Sequence, residues 1–158
     1  VRKYSKDARR DEVLSLSAIV REALVEASQL GVLTSPGSLH SNENVYIRGN
    51  HLELKLVLLN LIKNSVQGAG DAPAEIAVSV ERTPTSAVLV FADRNPGVTP
   101  DLLERMTAGM PSTKKDGLGL GLTIVRSILD AHGASIRFES REAGGLRVTL
   151  SFPPEETP

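Results

Sequence analysis

Gly117-Leu118-Gly119-Leu120-Gly121-Leu122 opens an apolar run that continues through Thr123-Ile124-Val125 toward Ala131, and two lysines, Lys114 and Lys115, stand just ahead of it. Glycines in such a position let backbone N–H groups approach a ligand with no side chain in the way. A helix that begins here points its free N–H groups and the positive end of its dipole at the same place. Together these make an anion site, and phosphate is its commonest tenant. A tight turn into a core helix would carry the same glycines, so the stretch needs other motifs beside it before it speaks for a ligand.

Working outward, the rest of the chain narrows the field. Its 158 residues suit one domain with a substantial core, and 41% hydrophobic residues is ordinary for a globular protein. A net charge of −1 argues against partners held by a strong field, such as nucleic acid or a membrane surface. Aromatic residues are 3% with no Trp, which is thin for stacking on single strands. The absence of cysteine removes disulfides, thiolate zinc sites and thiol nucleophiles together. No signal peptide is visible, and no run of about 18 apolar residues could span a bilayer. His40, His51 and His132 are scattered, without metal-ligand spacing.

The pattern predicts the following order. Residues 1–10 (VRKYSKDARR) are polar and basic and read as a helix end or linker, with the domain proper at 11–158. Val13–Leu16 is a short strand candidate. Ser17 is placed as N-cap of a helix through about Leu30, stopped by Gly31. Residues 35–44 are turn-rich and are expected as loop, followed by a short strand at Val45–Arg48. Asn50 caps a long helix from His51 to about Gln67. Glu75–Glu81 and Thr85–Ala92 read as strands, Pro100–Met106 as a short helix, and residues 107–116 as a mobile segment. Leu118–Ala131 is the second long helix, stopped by Gly133, and Ala134–Ser140 with Leu146–Phe152 form a terminal hairpin across Gly144-Gly145. Helices and a mixed, mostly antiparallel set of strands imply an α+β fold, a two-layer α/β sandwich.

The helix HLELKLVLLNLIKNSVQ (51–67) is apolar with ordered exceptions. Glu53, Asn60, Asn64 and Gln67 fall on one narrow strip, while Leu54, Leu58, Leu61 and Ile62 lie opposite and are expected to cover the sheet. A solvated face would more usually carry Lys and Glu than asparagine, a poor helix former. Asparagine carbonyls are neutral oxygen ligands suited to a hydrated Mg²⁺ already held by phosphate charge. After the apolar strand comes Asp93-Arg94-Asn95-Pro96-Gly97-Val98. A carboxylate there can accept a hydrogen bond from an exocyclic amine, although Asp also commonly starts a turn.

Taken together, NLIKN (Asn60–Asn64), DRNPGV (Asp93–Val98) and GLGLGL (Gly117–Leu122) resemble, in order and separation, the linked boxes of the catalytic ATP-binding domain of sensor histidine kinases. The wider group includes type II topoisomerases and heat-shock chaperone ATPases. The run from Met110 through His132-Gly133 resembles the nitrogen-regulatory and oxygen-sensing kinase subgroup. The resemblance implies a Bergerat-type fold with helices on one face of the sheet, and ATP with Mg²⁺ as cofactors. It implies that Asn64 ligates the metal, with Asn60 as the polar residue one turn earlier. It implies that Asp93 reads the adenine amino group, that Asn95, Gly97 and Val98 belong to the adenine loop, and that Gln67 is a polar phosphate contact. Thr113 and Lys114 would belong to a lid reaching the phosphates, and Gly117, Leu118, Gly119, Leu120, Gly121 and Leu122 to the segment wrapping them.

Three departures stand out: Asn95 replaces a glycine, Gly109 and Met110 stand where relatives carry a phenylalanine pair, and Leu146 follows Gly145 where threonine is usual. Water-splitting relatives place a glutamate general base where this chain has Asn60, which takes no proton near neutral pH. That suits phosphoryl transfer to a nucleophile arriving on another domain. None of the three histidines resembles the family's phosphoacceptor, so no catalytic residue is assigned in the chain. The implied partners are a histidine-bearing dimerisation domain of the same parent, whose last helix residues 1–10 resemble, and a response-regulator receiver domain. Neither nucleic acid nor direct membrane contact is expected, and the expected location is cytoplasmic. Two alternatives stay open from the sequence: a serine kinase of the anti-sigma-factor type, and a degenerate nucleotide-binding scaffold.

Overall fold

The computed structural model describes residues 9–41, 45–94, 99–108, 119–142 and 144–156. Its elements, in chain order, are β1 (Glu12–Ser15), α1 (Leu16–Gln29), β2 (Ser38–Ser41), β3 (Tyr46–Gly49), α2 (His51–Ala69), β4 (Ile76–Arg82), β5 (Ala87–Asp93), α3 (Pro100–Ala108), α4 (Gly119–Ala131), β6 (Ser135–Ser140) and β7 (Leu146–Phe152). Five strands form one sheet in the order β2-β4-β5-β7-β6, parallel between β2 and β4 and antiparallel elsewhere. β1 and β3 make a separate antiparallel pair.

Strand alternation sets the layers. Ile76, Val78 and Val80 on β4, Leu89 and Phe91 on β5, and Val148, Leu150 and Phe152 on β7 are buried, while the residues between them are more exposed. The helices cover that buried side. Leu54, Val57, Leu58, Leu61 and Ile62 of α2 and Val125, Ile128 and Leu129 of α4 complete the core. The α+β sandwich expected from the pattern is therefore the architecture observed.

Two local expectations are corrected. Ser15, not Ser17, caps α1: its Oγ accepts the Ala18 N–H at 3.3 Å. Ser17 lies inside the helix, buried, with its hydroxyl donating to Ser41 Oγ at 2.9 Å. The turn-rich stretch 35–44 contains strand β2, which pairs with β4 from Ser38↔Ala77 to Ser41↔Val80. Its sequence, SLHS, carries one apolar residue, so the strand is made by backbone pairing to a distant partner rather than by a local pattern. The α2 helix also runs two residues past Gln67 and ends at Gly70, whose φ of 66° suits glycine.

Candidate functional site

Asp93 is the last residue of β5, continuing the inward series Ala87, Leu89, Phe91. Alternation therefore delivers a carboxylate into the helix-covered layer at the strand's end, only 3% exposed. A buried carboxylate needs donors. Ser65 Oγ donates to Oδ2 at 2.6 Å, and the Leu146 N–H donates to Oδ1 at 3.1 Å. Arg141 Nη1 donates to the Asp93 carbonyl at 2.6 Å. The β6–β7 turn presses against the same backbone. At Gly145, with φ of 106°, a Cβ would lie 2.0 Å from the Asp93 carbonyl oxygen, so no side chain fits there.

The Asp93 carboxylate opens onto a narrow cavity of about 40 Å³ whose walls include Leu61, Phe91, Met106, Leu122, Phe138 and Val148, with Asn64 and Ser65 as its other polar members. Apolar walls with one fixed acceptor and few other polar groups suit a flat heteroaromatic ring carrying an amine. A second cavity of about 130 Å³, reaching Ala69, Pro73 and Arg94, shares Ser65 and Asp93 with the first.

The α2 strip divides. Asn60 and Asn64 are half-buried where α4 begins. Asn60 Nδ2 donates to the Leu56 carbonyl at 2.9 Å, leaving its Oδ1 toward Gly121. A Cβ on Gly121 would sit 3.1 Å from Asn60 Oδ1 and 3.9 Å from Asn64 Oδ1. Glycine thus lets the first turn of α4, whose N–H groups lack partners within the helix, close on both asparagine side chains. Asn64 Nδ2 is buried without a hydrogen-bond partner among the described residues. Glu53, at the other end of the strip, lies about two turns from this region and binds the Arg10 guanidinium through both oxygens, at 2.9 and 3.1 Å. Gln67 is exposed and does not line the cavity.

Of the remaining sequence-derived site residues, Leu122 lines the cavity, and Gly119 and Leu120 form the first residues of α4. Asn95, Gly97, Val98, Thr113, Lys114, Gly117 and Leu118 lie outside the described residues, as does most of the segment 107–116 read as mobile. The segments 95–98 and 109–118 join elements that border the cavity.

Sequence reasoning passed over Ser65, Met106, Phe138 and Arg141 as site residues, and read Gly145 only as a hairpin turn. Ser65 had a signal: it continues the buried face Leu54, Leu58, Leu61, Ile62, where a hydroxyl needs a partner. Met106, Phe138 and Arg141 come from elements remote in sequence and carry no local mark.

The far ends of the two long helices also meet. His132, one residue past α4 and 8% exposed, accepts the Asn50 N–H on Nε2 at 3.0 Å. Its Nδ1 lies 2.8 Å from the Ile128 carbonyl and must donate. Both roles together require the neutral ring, and burial lowers its pKa from the usual value, against the pull of the Ile128 carbonyl. The ring packs on Gly49, where a Cβ would lie 2.6 Å from it. Asn50 Nδ2 also donates to the Arg9 carbonyl at 2.8 Å.

No helix among the described residues is long and apolar enough to cross a membrane. The described histidines are one on β2 (His40), one bonded to Glu22 at 2.6 Å (His51) and the buried His132.

Residues 49–156 match the family described as histidine kinase-, DNA gyrase B- and HSP90-like ATPases. The chain is 30% identical over 153 residues to the C4-dicarboxylate transport sensor protein DctS of Rhodobacter capsulatus, covering 93% of this chain and 22% of that protein. It therefore spans about a fifth of that relative's length. Among solved structures, the nucleotide-free catalytic domain of histidine kinase ThkA superposes with a TM-score of 0.76 at 25% identity, covering 90% of this chain and 94% of that one. ThkA in complex with response regulator protein TrrA superposes with a TM-score of 0.73 at 24% identity, covering 91% of this chain and 42% of that one.

Proposed function

The chain belongs to the family of histidine kinase-, DNA gyrase B- and HSP90-like ATPases, and on that premise we propose that it is the ATP-binding catalytic domain of a two-component sensor histidine kinase. The reaction is transfer of the γ-phosphoryl group of ATP to a histidine nitrogen on a separate dimerisation domain, with ADP leaving. One observation carries the reading: the buried Asp93 carboxylate, anchored by Ser65 and the Leu146 N–H, faces an apolar cavity bordered by Asn64 and the start of α4.

In this reading each residue has a physical task. Asp93 accepts from the adenine amino group and repels the guanine carbonyl, while Leu61, Phe91, Met106 and Leu122 enclose the ring. The first-turn N–H groups of α4 and the helix dipole receive phosphate oxygens. Asn64 and, beside it, Asn60 supply neutral oxygens toward a divalent cation. The donor set fits Mg²⁺ brought by the nucleotide, since amide oxygens are hard ligands that add no charge. Mg²⁺, when bound, neutralises charge on the phosphate oxygens during transfer. Asn60 takes no proton near neutral pH, which favours delivery to a histidine over activation of water. Gln67, Asn95, Gly97, Val98, Thr113, Lys114 and residues 117–120 enter this assignment through the family resemblance.

The name of DctS as a sensor protein and the ThkA–TrrA complex support a receiver domain as downstream partner. The run from Met110 to Gly133 supports placement near the nitrogen-regulatory and oxygen-sensing kinases. Residues 1–10 are read as the end of the dimerisation hairpin or its linker, and the domain as cytoplasmic. Titration calorimetry with ATP tests the binding reading. Incubation with labelled ATP and a purified histidine-hairpin domain tests the transfer: an acid-labile phosphoryl group on the hairpin is expected, and acid-stable label would contradict it.

A further inference from the structure

Arg126 lies in the middle of α4 and reaches across to the C-terminal end of α3. Its Nη2 donates to the Met106 carbonyl and, at 3.1 Å, to the Thr107 carbonyl. Carbonyls in a helix's last turn lack partners within the helix, and a cation there also meets the negative end of the dipole. The same guanidinium lies over the ring of Phe138 on β6, 5.6 Å from its centroid. One side chain therefore grips α3 by its backbone and β6 by an aromatic face.

The two residues it grips are both walls of the Asp93 cavity: Met106 and Phe138 each line it. Neither touches Asp93 in sequence, and each is fixed by its own element. Arg126 ties both to α4, whose Leu122 is a third wall, one helical turn earlier. Its Nε is buried with no partner among the described residues.

We propose that Arg126 is a positioning residue for the base cavity: it sets the separation of α3, α4 and β6, and with it the width of the slot facing Asp93. The proposal rests on the reading of that cavity as an adenine site. It has a distinctive consequence. Losing Arg126 should weaken every ligand that carries the base, and by the same factor, because the phosphates are held elsewhere. Lysine can reach one carbonyl but neither forks nor lies flat on a ring, so it should rescue only in part.

The test measures ATP, ADP and AMP affinities by titration for the wild-type chain, Arg126→Met and Arg126→Lys, with the ε-methyl resonance of Met106 followed in ¹³C-methionine-labelled protein. Arg126→Met is expected to weaken all three nucleotides about tenfold, the scale of one lost charge-assisted hydrogen bond. Arg126→Lys should fall between. The Met106 methyl should shift in the unliganded Arg126→Met protein and less in Arg126→Lys. Should Arg126→Met not fold, the Lys variant carries the same comparison. Unchanged affinities in both variants, or a loss confined to ATP, would overturn the proposal. A wild-type chain that binds no adenine nucleotide would overturn the parent reading instead.

Discussion

Ser65 and Asp93, 28 residues apart in sequence, share a buried 2.6 Å hydrogen bond that fixes the only carboxylate among the described residues lining the cavity. Ser65→Ala removes a neutral donor to that carboxylate. A hydrogen bond to a charged group is worth about 1.5–3 kcal/mol, so a stability loss in that range is expected in urea unfolding. The ratio of ATP to GTP affinity should narrow as the carboxylate loosens. A variant with wild-type stability and the same ratio would show that the serine merely fills space.

Asp93→Asn tests the carboxylate itself. An amide can present either a donor or an acceptor, so it no longer repels the guanine carbonyl. ATP should bind about tenfold more weakly, the cost of one charge-assisted hydrogen bond, and GTP should gain relative to ATP. Competition titrations read both. Equal ATP and GTP affinity in the unmutated chain would remove Asp93 from base recognition.

Asn64→Ala bears on the metal. Calorimetry with and without Mg²⁺ should show the Mg²⁺-dependent gain in ATP affinity nearly abolished, with little change in fold because Asn64 Nδ2 has no hydrogen-bond partner among the described residues. If the Mg²⁺-linked gain survives intact, the amide is not a ligand.

His132 makes stability depend on pH in a stated direction. Its folded pKa is lowered below the ordinary 6.5, so the unfolded chain binds more protons. The neutral ring's contribution is therefore complete above about pH 6.5 and is lost as pH falls below that toward the folded value. Protonation would set a second N–H against the Asn50 N–H. Urea unfolding from pH 8 to pH 5 should show this decline, and His132→Gln, uncharged throughout, should flatten it. Parallel profiles for the two proteins would assign the pH dependence elsewhere.

Arg10 and Glu53 form an ion pair in which the Glu53 side chain keeps only 6% of its exposure. Removing one partner of a buried pair strands the other, at a cost of about 3 kcal/mol. Arg10→Ala should lower the unfolding midpoint accordingly, and the added change Glu53→Met should recover most of it. Additive losses would mean that the pair does not act as a unit.

The sequence made the helices, the sheet and three site residues legible for different reasons. The helix 51–67 announces itself because its leucines repeat at helical spacing and Asn50 supplies a cap, and the same spacing isolates Asn60 and Asn64. Asp93 is visible because it ends an apolar strand. β2 is invisible because an edge strand with one apolar residue depends on a partner some forty residues away, as its pairing with β4 shows. Glu53 shares a strip with the asparagines yet serves a different contact, since helical periodicity gives the side of a rod but not what lies at each end of it. Arg126, Phe138 and Gly145 gain their importance only when remote elements converge, which no window along the chain contains.

The α2 and α4 helices run antiparallel and meet at two levels: the Asn60 and Asn64 amides, within the body of α2, beside Gly121 in the first turn of α4, and the Asn50 backbone against His132 just past the end of α4. From Asn50 to Asn64 the distance along the helix is about 20 Å. Two rods held at two levels resist splaying more than rods held at one. At the first level Asn50 also holds the Arg9 carbonyl. The backbone at Arg9 and the Asp93 cavity are thus joined to one helix, α2, through Asn50 at its cap and through Asn64 and Ser65 further along it.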